Sequence, residues 1–210
     1  MKLQVALDFL EKDAAIRIAK EVAEYADIIQ AGVPVNFVEG LHFIRDLRKL
    51  FPNKVIYGDL GIWGLEDWEV RKAFEAGADI VQIQAFADDE VIKNGIRIAK
   101  EFNKEIAVSF DGYKGDILKR AIEVDKLGPN AVVILWYTTD YPQYYALLQK
   151  VGRAVKAPIA VGGGLTLEKL DLMLKEVKAD IILVGKAIYN SPNPRQIAKA
   201  FKERITAASP

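Results

Sequence analysis

The feature that most constrains the fold is an alternation of short β-branched runs with longer amphipathic segments, repeated eight times along the chain. Runs rich in Val and Ile predict buried strands, and a 3.6-residue apolar period predicts helices. Strands are predicted at 3–8, 27–32, 55–60, 80–85, 106–110, 131–136, 158–162 and 181–185. Helices are predicted at 13–23, 39–50, 66–76, 89–102, 115–127, 143–154, 167–175 and 194–206.

Eight strand–helix units predict an α/β fold, a (β/α)8 TIM barrel that forms a single domain over residues 1–210. An open, doubly wound sheet is the alternative. No linker rich in Pro, Gly or Ser interrupts the alternation. The tripeptide Ala-Asp-Ile occurs at 26–28, 78–80 and 179–181, and Asn130 has the same role before Ala131. These polar residues are expected to turn the chain at the amino-terminal end of the barrel and to serve stability.

Composition excludes several classes of function. Lysine and arginine number 29, as do aspartate and glutamate, so no net field favours nucleic acid or a membrane surface as a partner. The absence of cysteine excludes disulfides, thiolate catalysis and zinc–thiolate sites. No apolar run approaches the roughly 18 residues of a spanning helix. The amino terminus enters a strand pattern directly, without a signal peptide, so a cytoplasmic location is expected.

Active sites of such barrels lie at the carboxyl ends of the strands. The residues predicted there are Asp8, Gln30, Asp59, Gly61, Gln84, 109–111, 135–137, 162–164 and 185–186. The clearest signal is the last pair of loops, with Gly163 and Gly164 after strand seven and Gly185 and Lys186 after strand eight. Glycines let backbone N–H groups approach an anion, and lysine adds charge, which predicts phosphate binding. The alternative is that these glycines only make tight turns.

Several segments carry a family resemblance: 3–8, 27–32, 39–40, 59–60, 76–81, 87–89, 163–164 and 184–185. With them the chain resembles the orotidine-phosphate decarboxylase superfamily, most of all its hexulose-6-phosphate synthase and 3-keto-gulonate-6-phosphate decarboxylase branch. The resemblance implies a dimeric barrel whose sites are completed across the interface. It also implies a Mg²⁺-dependent enzyme that makes or breaks a carbon–carbon bond of a phosphosugar through an enediolate.

The chain departs from that family where its chemistry would occur. The family motif Asp-x-Lys-x-x-Asp aligns with 59–64, so Gly61 replaces the lysine and Gly64 the second aspartate, while Asp8 and Asp59 remain. The other departures are Gln30 for a metal-binding glutamate, Ser109 for an acidic residue and Leu135 for a histidine. Glutamine is a poor Mg²⁺ ligand, and the missing lysine would have stabilised an enediolate oxygen. No cofactor is therefore expected, and Mg²⁺ only if the family site survives.

The replacements predict a pocket with little charge and aromatic walls, enlarged at Gly58, Gly61 and Gly64. Its predicted lining is Gln30, Tyr57, Gly61, Trp63, Gln82, Gln84, Ser109, Leu135, Trp136 and Tyr137. Alternatively, Trp63 and Trp68 pack at a dimer interface. The changes concentrate on inward strand ends, which leaves two origins open, an engineered active site and a natural divergent paralogue.

The candidate catalytic residues are Lys186, Asp59, Asp8 and Asp111. Lys186 among apolar walls would form a Schiff base with a ketone, or Asp59 or Asp111 would remove a proton from carbon. Lys186 has two alternative roles, binding phosphate and pairing with Asp8 or Asp59. We therefore expect a lyase acting on a small molecule, in a homodimer. A binding protein without turnover and a Mg²⁺-dependent phosphosugar enzyme with relocated ligands are the alternatives.

Overall fold

Eight parallel strands close into a barrel, in chain order, in the computed structural model, which describes residues 1–64, 67–135, 140–177 and 179–208. The strands are β1 (Lys2–Leu7), β2 (Ile28–Ala31), β3 (Val55–Ile62), β4 (Ile80–Gln84), β5 (Glu105–Ser109), β6 (Ala131–Leu135), β7 (Ile159–Gly162) and β8 (Ile181–Val184). Because β1 pairs with β8 as well as with β2, the sheet has no edges. The predicted barrel is confirmed and the open sheet is excluded.

Helices cover the outside of the barrel. They are α1 (Lys12–Val22), α2 (Val33–Glu39), α3 (Leu41–Leu50), α4 (Asp67–Ala76), α5 (Asp89–Phe102), α6 (Ile117–Leu127), α7 (Tyr141–Ala154), α8 (Leu167–Glu176), α9 (Lys186–Tyr189) and α10 (Pro194–Ala207). The side chains of Asp116, Thr166 and Asn193 cap the first turns of α6, α8 and α10 by accepting backbone N–H bonds. Within the described ranges, no helix combines the length and apolar character needed to cross a membrane.

Two short helices differ from the prediction. The helix expected at 39–50 corresponds to α3, and α2, which was not predicted, precedes it. Gly40, with a φ of 59°, separates the two helices. Helix α2 escapes a periodicity search because its apolar residues Val33, Phe37 and Val38 face outward instead of forming a buried stripe. The four residues of α9 are too few to show a helical period.

Strand β3 is longer than predicted and irregular. Its pairing with β4 shifts register between Gly58 and Ile62, and Gly61 within this stretch has a φ of 65°. A side chain is disfavoured at such a φ, so glycine permits the bulge. The bulge lies two residues after Asp59 and shapes the backbone beside it.

Alternation along the strands divides the apolar residues into two cores. One lies between the barrel and the helices and contains most of the large side chains. The other fills the barrel interior and consists of Ala6, Ile28, Tyr57, Ile80, Ala107, Ala131, Val133, Ala160, Ile181 and Leu183. All eight strands contribute to it. The interior is unusually rich in alanine.

The repeated polar residues lie at the amino-terminal end of the barrel, which we call the bottom. Asp27 accepts a hydrogen bond from the N–H of Leu3 at 2.7 Å, and Asp79 accepts one from Ile56 at 2.8 Å. Asp180 bonds in the same way to Ile159 at 2.9 Å, and Asn130 to Ile106 at 3.0 Å. Each polar residue therefore ties the start of one strand to the preceding strand, as the predicted stabilising role requires.

Candidate active site

The carboxyl ends of the strands bring most predicted site residues to the opposite end, which we call the top. Asp8 follows β1, Asp59 lies in β3, and Gly185 follows β8. A Cβ atom added to Gly32 would collide with the Asp8 carboxylate, and one added to Gly185 would lie 3.5 Å from its Oδ2. Asp8 therefore lies between the loops that follow β2 and β8, where glycines leave room for it.

Two glutamine side chains hold the carboxylate of Asp59. Gln82 Nε2 donates to Oδ1 at 2.7 Å, and Gln30 Nε2 donates to Oδ2 at 3.1 Å. The backbone carbonyl of Asp59 accepts a further bond from Asn36 Nδ2 at 2.9 Å. The side chain and backbone of Asp59 are thus fixed by three different elements, β2, α2 and β4.

A second layer of hydrogen bonds orients these glutamines. Tyr57 Oη donates to Gln82 Oε1 at 2.8 Å, and Gln4 Nε2 donates to Gln30 Oε1 at 2.6 Å. A carboxylate only accepts hydrogen bonds, so each glutamine must turn its NH₂ group toward Asp59 and its oxygen toward the interior. We call these two chains of bonds, from Gln4 and Tyr57 to Asp59, the glutamine relay.

The electrostatics of the top favour protonated carboxyl groups. Burial, followed by the negative charges of Asp8 and Asp111, raises the pKa of Asp59 to about 7, although hydrogen bonds from the N–H of Gly61 and from Gln30 oppose the rise. A carboxyl group with this pKa can both take up and release a proton near neutral pH. Asp59 is therefore suited to proton transfer.

Asp8 is in a similar but less extreme environment. Burial raises its pKa, the nearby Lys186 ammonium opposes that rise, and Asp111 adds to it. Burial, followed by the charge of Asp8, also raises the pKa of Tyr189 to about 12. Tyr189 packs against Phe9 with ring centroids 4.7 Å apart. The three aspartates thus form one electrostatic cluster, with Lys186 beside Asp8.

The predicted anion-binding loops have unusual backbone geometry. Gly163 and Gly164 have φ values of 95° and 67°, which side chains disfavour. Lys169 Nζ lies 3.4 Å from the carbonyl oxygen of Gly164, which adds an unpredicted lysine beside the loop. Lys186 is exposed at the first position of α9. The structure therefore does not surround Lys186 with the apolar walls on which the Schiff-base hypothesis depends.

Several predicted wall residues lie elsewhere. Tyr57 has the predicted orientation into the barrel but is buried one layer below Asp59, so it does not line the mouth. Gly58 faces the helices, since an added Cβ would lie 3.2 Å from Ile44, and it does not enlarge a pocket. Trp63 is 64% exposed and forms no enclosed wall. Trp68, predicted only as an alternative at a dimer interface, is 58% exposed. The predicted aromatic pocket is wrong at these positions, and Trp136 and Tyr137 lie outside the described residues.

Other predicted positions have structural roles. Ser109 is fully buried, and its Oγ accepts the backbone N–H of Asp111 at 3.2 Å. Leu135 lies next to Gly162 at the ends of β6 and β7. Gln84 is buried, and its Oε1 has no hydrogen-bond partner among the described residues. Added Cβ atoms on Gly61 and Gly64 would meet open space, so the structure agrees with more room at these two positions.

The donor set at the top does not suit the magnesium ion that the resemblance implies. Both carboxylate oxygens of Asp59 accept bonds from glutamine NH₂ groups, and Gln30 Oε1 is occupied by Gln4. Magnesium needs oxygen ligands in near-octahedral geometry, and an NH₂ group turned toward the carboxylate repels a cation. Among residues 1–64, 67–135, 140–177 and 179–208, no three acidic or histidine side chains are grouped for metal binding.

Four residues of the site were missed from the sequence. Gln4 and Asn36 orient Asp59 and its neighbours, Tyr189 lies beside Asp8, and Lys169 flanks Gly164. A signal for Gln4 was present, because it is the single polar residue of the otherwise apolar segment 3–7. Asn36 lies in the unpredicted helix α2 and gave no comparable signal.

Comparisons with known proteins agree with this architecture. Residues 1–134 match the family described as orotidine 5'-phosphate decarboxylase / HUMPS. The 3-hexulose-6-phosphate synthase of Bacillus subtilis (strain 168) is 33% identical over 212 residues, which cover 98% of this chain and 99% of that protein. A crystal structure of 3-hexulose-6-phosphate synthase has a TM-score of 0.86 at 33% identity, with 100% of both chains covered. The 3-keto-L-gulonate-6-phosphate decarboxylase of Vibrio cholerae O1 biovar El Tor has a TM-score of 0.82 at 26% identity, covering 100% of this chain and 99% of that one.

These comparisons confirm the predicted resemblance. They give no support to an engineered pocket, since about two thirds of the aligned residues differ and the alignment runs over nearly the whole chain. The loss of the family's catalytic residues stays a prediction.

Proposed function

The chain belongs to the orotidine 5'-phosphate decarboxylase / HUMPS family, and from this premise we propose that it is a lyase for a small phosphorylated sugar. The observation that carries the proposal is the environment of Asp59. Gln30 and Gln82 fix its carboxylate, and burial together with the charges of Asp8 and Asp111 raises its pKa to about 7. Relatives named 3-hexulose-6-phosphate synthase support a six-carbon ketose phosphate as the substrate class.

Asp59 would move the proton in this reaction. In the cleavage direction its carboxylate takes the proton of the substrate hydroxyl next to the bond that breaks. The oxygen's electron pair forms a carbonyl, the carbon–carbon bond breaks, and its electrons pass to the neighbouring carbonyl group as an enediolate. Asp59 then returns the proton to the enediolate carbon, so it ends in its starting state. No added oxidant or reductant is needed.

The loops after β7 and β8 would bind the phosphate. Gly163 and Gly164 adopt conformations that let backbone N–H groups turn toward an anion, and Gly185 provides a third close approach. Lys186 and Lys169 lie beside these loops and supply positive charge. The exposure of Lys186 favours this role over Schiff-base formation.

We also propose a homodimer that uses the exposed apolar residues at the top. Phe37 on α2 is 90% exposed, Leu10 follows β1, and Trp63 follows β3. Because β1, β2 and β3 are neighbours in the barrel, these side chains lie on one side of the top. Exposed apolar residues grouped in this way are typical of protein interfaces. Analytical ultracentrifugation of Phe37→Glu should show monomers, whereas an unchanged dimer would contradict this interface.

The activity is tested by incubating the protein with six-carbon ketose 6-phosphates and measuring aldehyde release, with and without EDTA. We expect release that survives EDTA, because the donor set around Asp59 does not suit magnesium. Binding of the sugar phosphate without turnover would overturn the lyase proposal. Activity that requires Mg²⁺ would overturn the metal-independent form and favour relocated metal ligands.

Borohydride trapping separates the two lyase routes. We expect no mass adduct on Lys186 when borohydride is added during turnover, because Asp59 carries the chemistry. An adduct at Lys186, lost together with activity in Lys186→Met, would instead establish the Schiff-base route.

A further inference from the structure

Gln84, at the end of β4, has a side-chain amide that the glutamine relay does not use. The residue is 8% exposed, and its Oε1 is enclosed without a hydrogen-bond partner among the described residues. Its Nε2 also donates to no described residue, but it is not among the enclosed atoms, so it is open to solvent. An enclosed acceptor without a partner costs free energy, and proteins accept such a cost mainly at functional sites.

The fold directs Gln84 into the mouth of the barrel. Ile80 of the same strand belongs to the interior core, and Gln82 donates to Asp59. Side chains alternate along a strand, so Gln84 shares this inward face and lies roughly 6.6 Å nearer the top than Gln82. Its register partner on β5, Ser109, is fully buried. The Gln84 amide is therefore one step closer to the mouth than the group that fixes Asp59.

The proposed phosphate loops lie on the other side of this mouth. In the closed order from β1 to β8, β4 is opposite β8 and three strands from β7. Gly163 and Gly164 follow β7, Gly185 follows β8, and Asp59 lies in β3, next to β4. A sugar phosphate that binds its phosphate at these loops and reaches Asp59 therefore brings its other end toward β4.

The charges at the mouth restrict which group Gln84 can bind. Asp8 and Asp111 both act on Asp59 as negative charges, so an anionic group at this end of the substrate would be repelled. An amide N–H is a neutral donor that pairs with a hydroxyl or carbonyl oxygen. The uncharged end of a sugar thus suits Gln84 Nε2.

We propose that Gln84 is a specificity-determining residue whose Nε2 donates to the sugar oxygen farthest from the phosphate, the C1 oxygen of a six-carbon 6-phosphate. The inference rests on the proposed lyase function, because that function places the phosphate at the β7 and β8 loops and the reacting carbons at Asp59. A sugar phosphate without the C1 oxygen would lose this hydrogen bond.

Binding of non-cleavable polyols tests the contact without turnover. Glucitol 6-phosphate and 1-deoxyglucitol 6-phosphate differ only in the C1 hydroxyl, and the parent should prefer the first in calorimetric titrations. Gln84→Met keeps the length of the side chain but has no donor. It should lose about 3- to 10-fold of that preference, as expected for one hydrogen bond in a buried site. The same preference in parent and variant would overturn the proposal.

Thermal unfolding separates a binding role from a structural one. Gln84→Met removes an enclosed acceptor that has no partner, so the Tm of the ligand-free protein should rise by about 2 to 4 °C. An unchanged or lower Tm would assign Gln84 a structural role and contradict the proposal.

Gln149→Met on α7 is the matched control. Gln149 Nε2 donates to the carbonyl oxygen of Glu176, the last residue of α8, at 2.8 Å, far from the strand ends. This variant should have a lower Tm than the parent and the parent's preference between the two polyols. Loss of preference in both variants would overturn the assignment to Gln84. Failure of the parent to bind either polyol phosphate would instead overturn the proposed function itself, so the two failures are distinct.

Discussion

Asp79 at the bottom of the barrel and Asp59 at the top are both partly buried aspartates, yet their surroundings shift their acidities in opposite directions. Burial opposes ionisation of Asp79, but bonds from Lys104 and from the N–H of Ile56, with the charge of Arg48, lower its pKa. Asp59 receives only neutral donors and faces two like charges, and its pKa rises to about 7. The bottom thus neutralises its carboxylates, whereas the top leaves them reactive at a cost in stability.

The largest expected effect comes from removing the reactive carboxylate. Asp59→Asn should lower kcat by about 10²- to 10⁴-fold, because an amide cannot accept the substrate proton. The parent kcat/KM in the cleavage direction should rise as pH increases through about 7, since the base must be ionised. Measuring kcat and kcat/KM of the parent and the variant between pH 5 and 9 tests both expectations. A variant with near-parent activity would show that Asp59 is not the base.

The same substitution should change how stability depends on pH. Asp59 has a raised pKa in the folded protein, so the folded state holds its proton more tightly and loses stability as pH rises from about 4 to 7. Asp59→Asn should remove about 2 to 4 kcal/mol of that loss. Urea unfolding at pH 4 and pH 8 gives the comparison. Parallel profiles for parent and variant would contradict the raised pKa.

For Asp79 at the bottom, the pH dependence of stability has the opposite sign. Asp79→Asn should destabilise the protein by about 1 to 2 kcal/mol at neutral pH, through loss of the ion pairs with Lys104 and Arg48. Because the folded pKa of Asp79 is lowered, its contribution is present at neutral pH and lost as pH falls through that folded pKa. Asn130 shows that an amide oxygen can still accept the strand N–H. An unchanged free energy of unfolding at pH 7 would refute this contrast.

The smallest effect concerns the charge beside the anion loops. Lys186→Met should raise KM for a sugar phosphate about 10-fold and change kcat little, because an exposed lysine contributes a point charge to binding. Lys199→Met on α10, whose lysine pairs with Glu203, is the matched control. A large loss of kcat with unchanged KM would assign Lys186 to the chemistry instead.

The architecture was predictable because strand and helix periods alternate without interruption. The same reasoning placed Asp8, Asp59 and Gly185 at one end, since parallel strands present their carboxyl ends together. Parity also placed Tyr57 on the same face as Asp59. Parity does not give the depth of a side chain within the barrel. Two residues along a strand span roughly 6.6 Å, which is enough to move a side chain from the mouth to the interior.

Other features depended on contacts that no local pattern encodes. The pKa of Asp59 is raised first by burial and then by the charges of Asp8 and Asp111, which lie on different strand ends far apart in sequence. Only the closed barrel brings these groups together.

The hydrogen bonds at the bottom also divide the chain into four equal modules. Asp27, Asp79, Asn130 and Asp180 each join an even-numbered strand to the odd-numbered strand before it. Cutting the chain between modules, as at the exposed Pro52–Asn53 turn before β3, leaves all four bonds within intact fragments. A cut between β3 and β4 would separate Asp79 from Ile56. Circular permutants and complementing fragments should therefore tolerate the first kind of break better than the second.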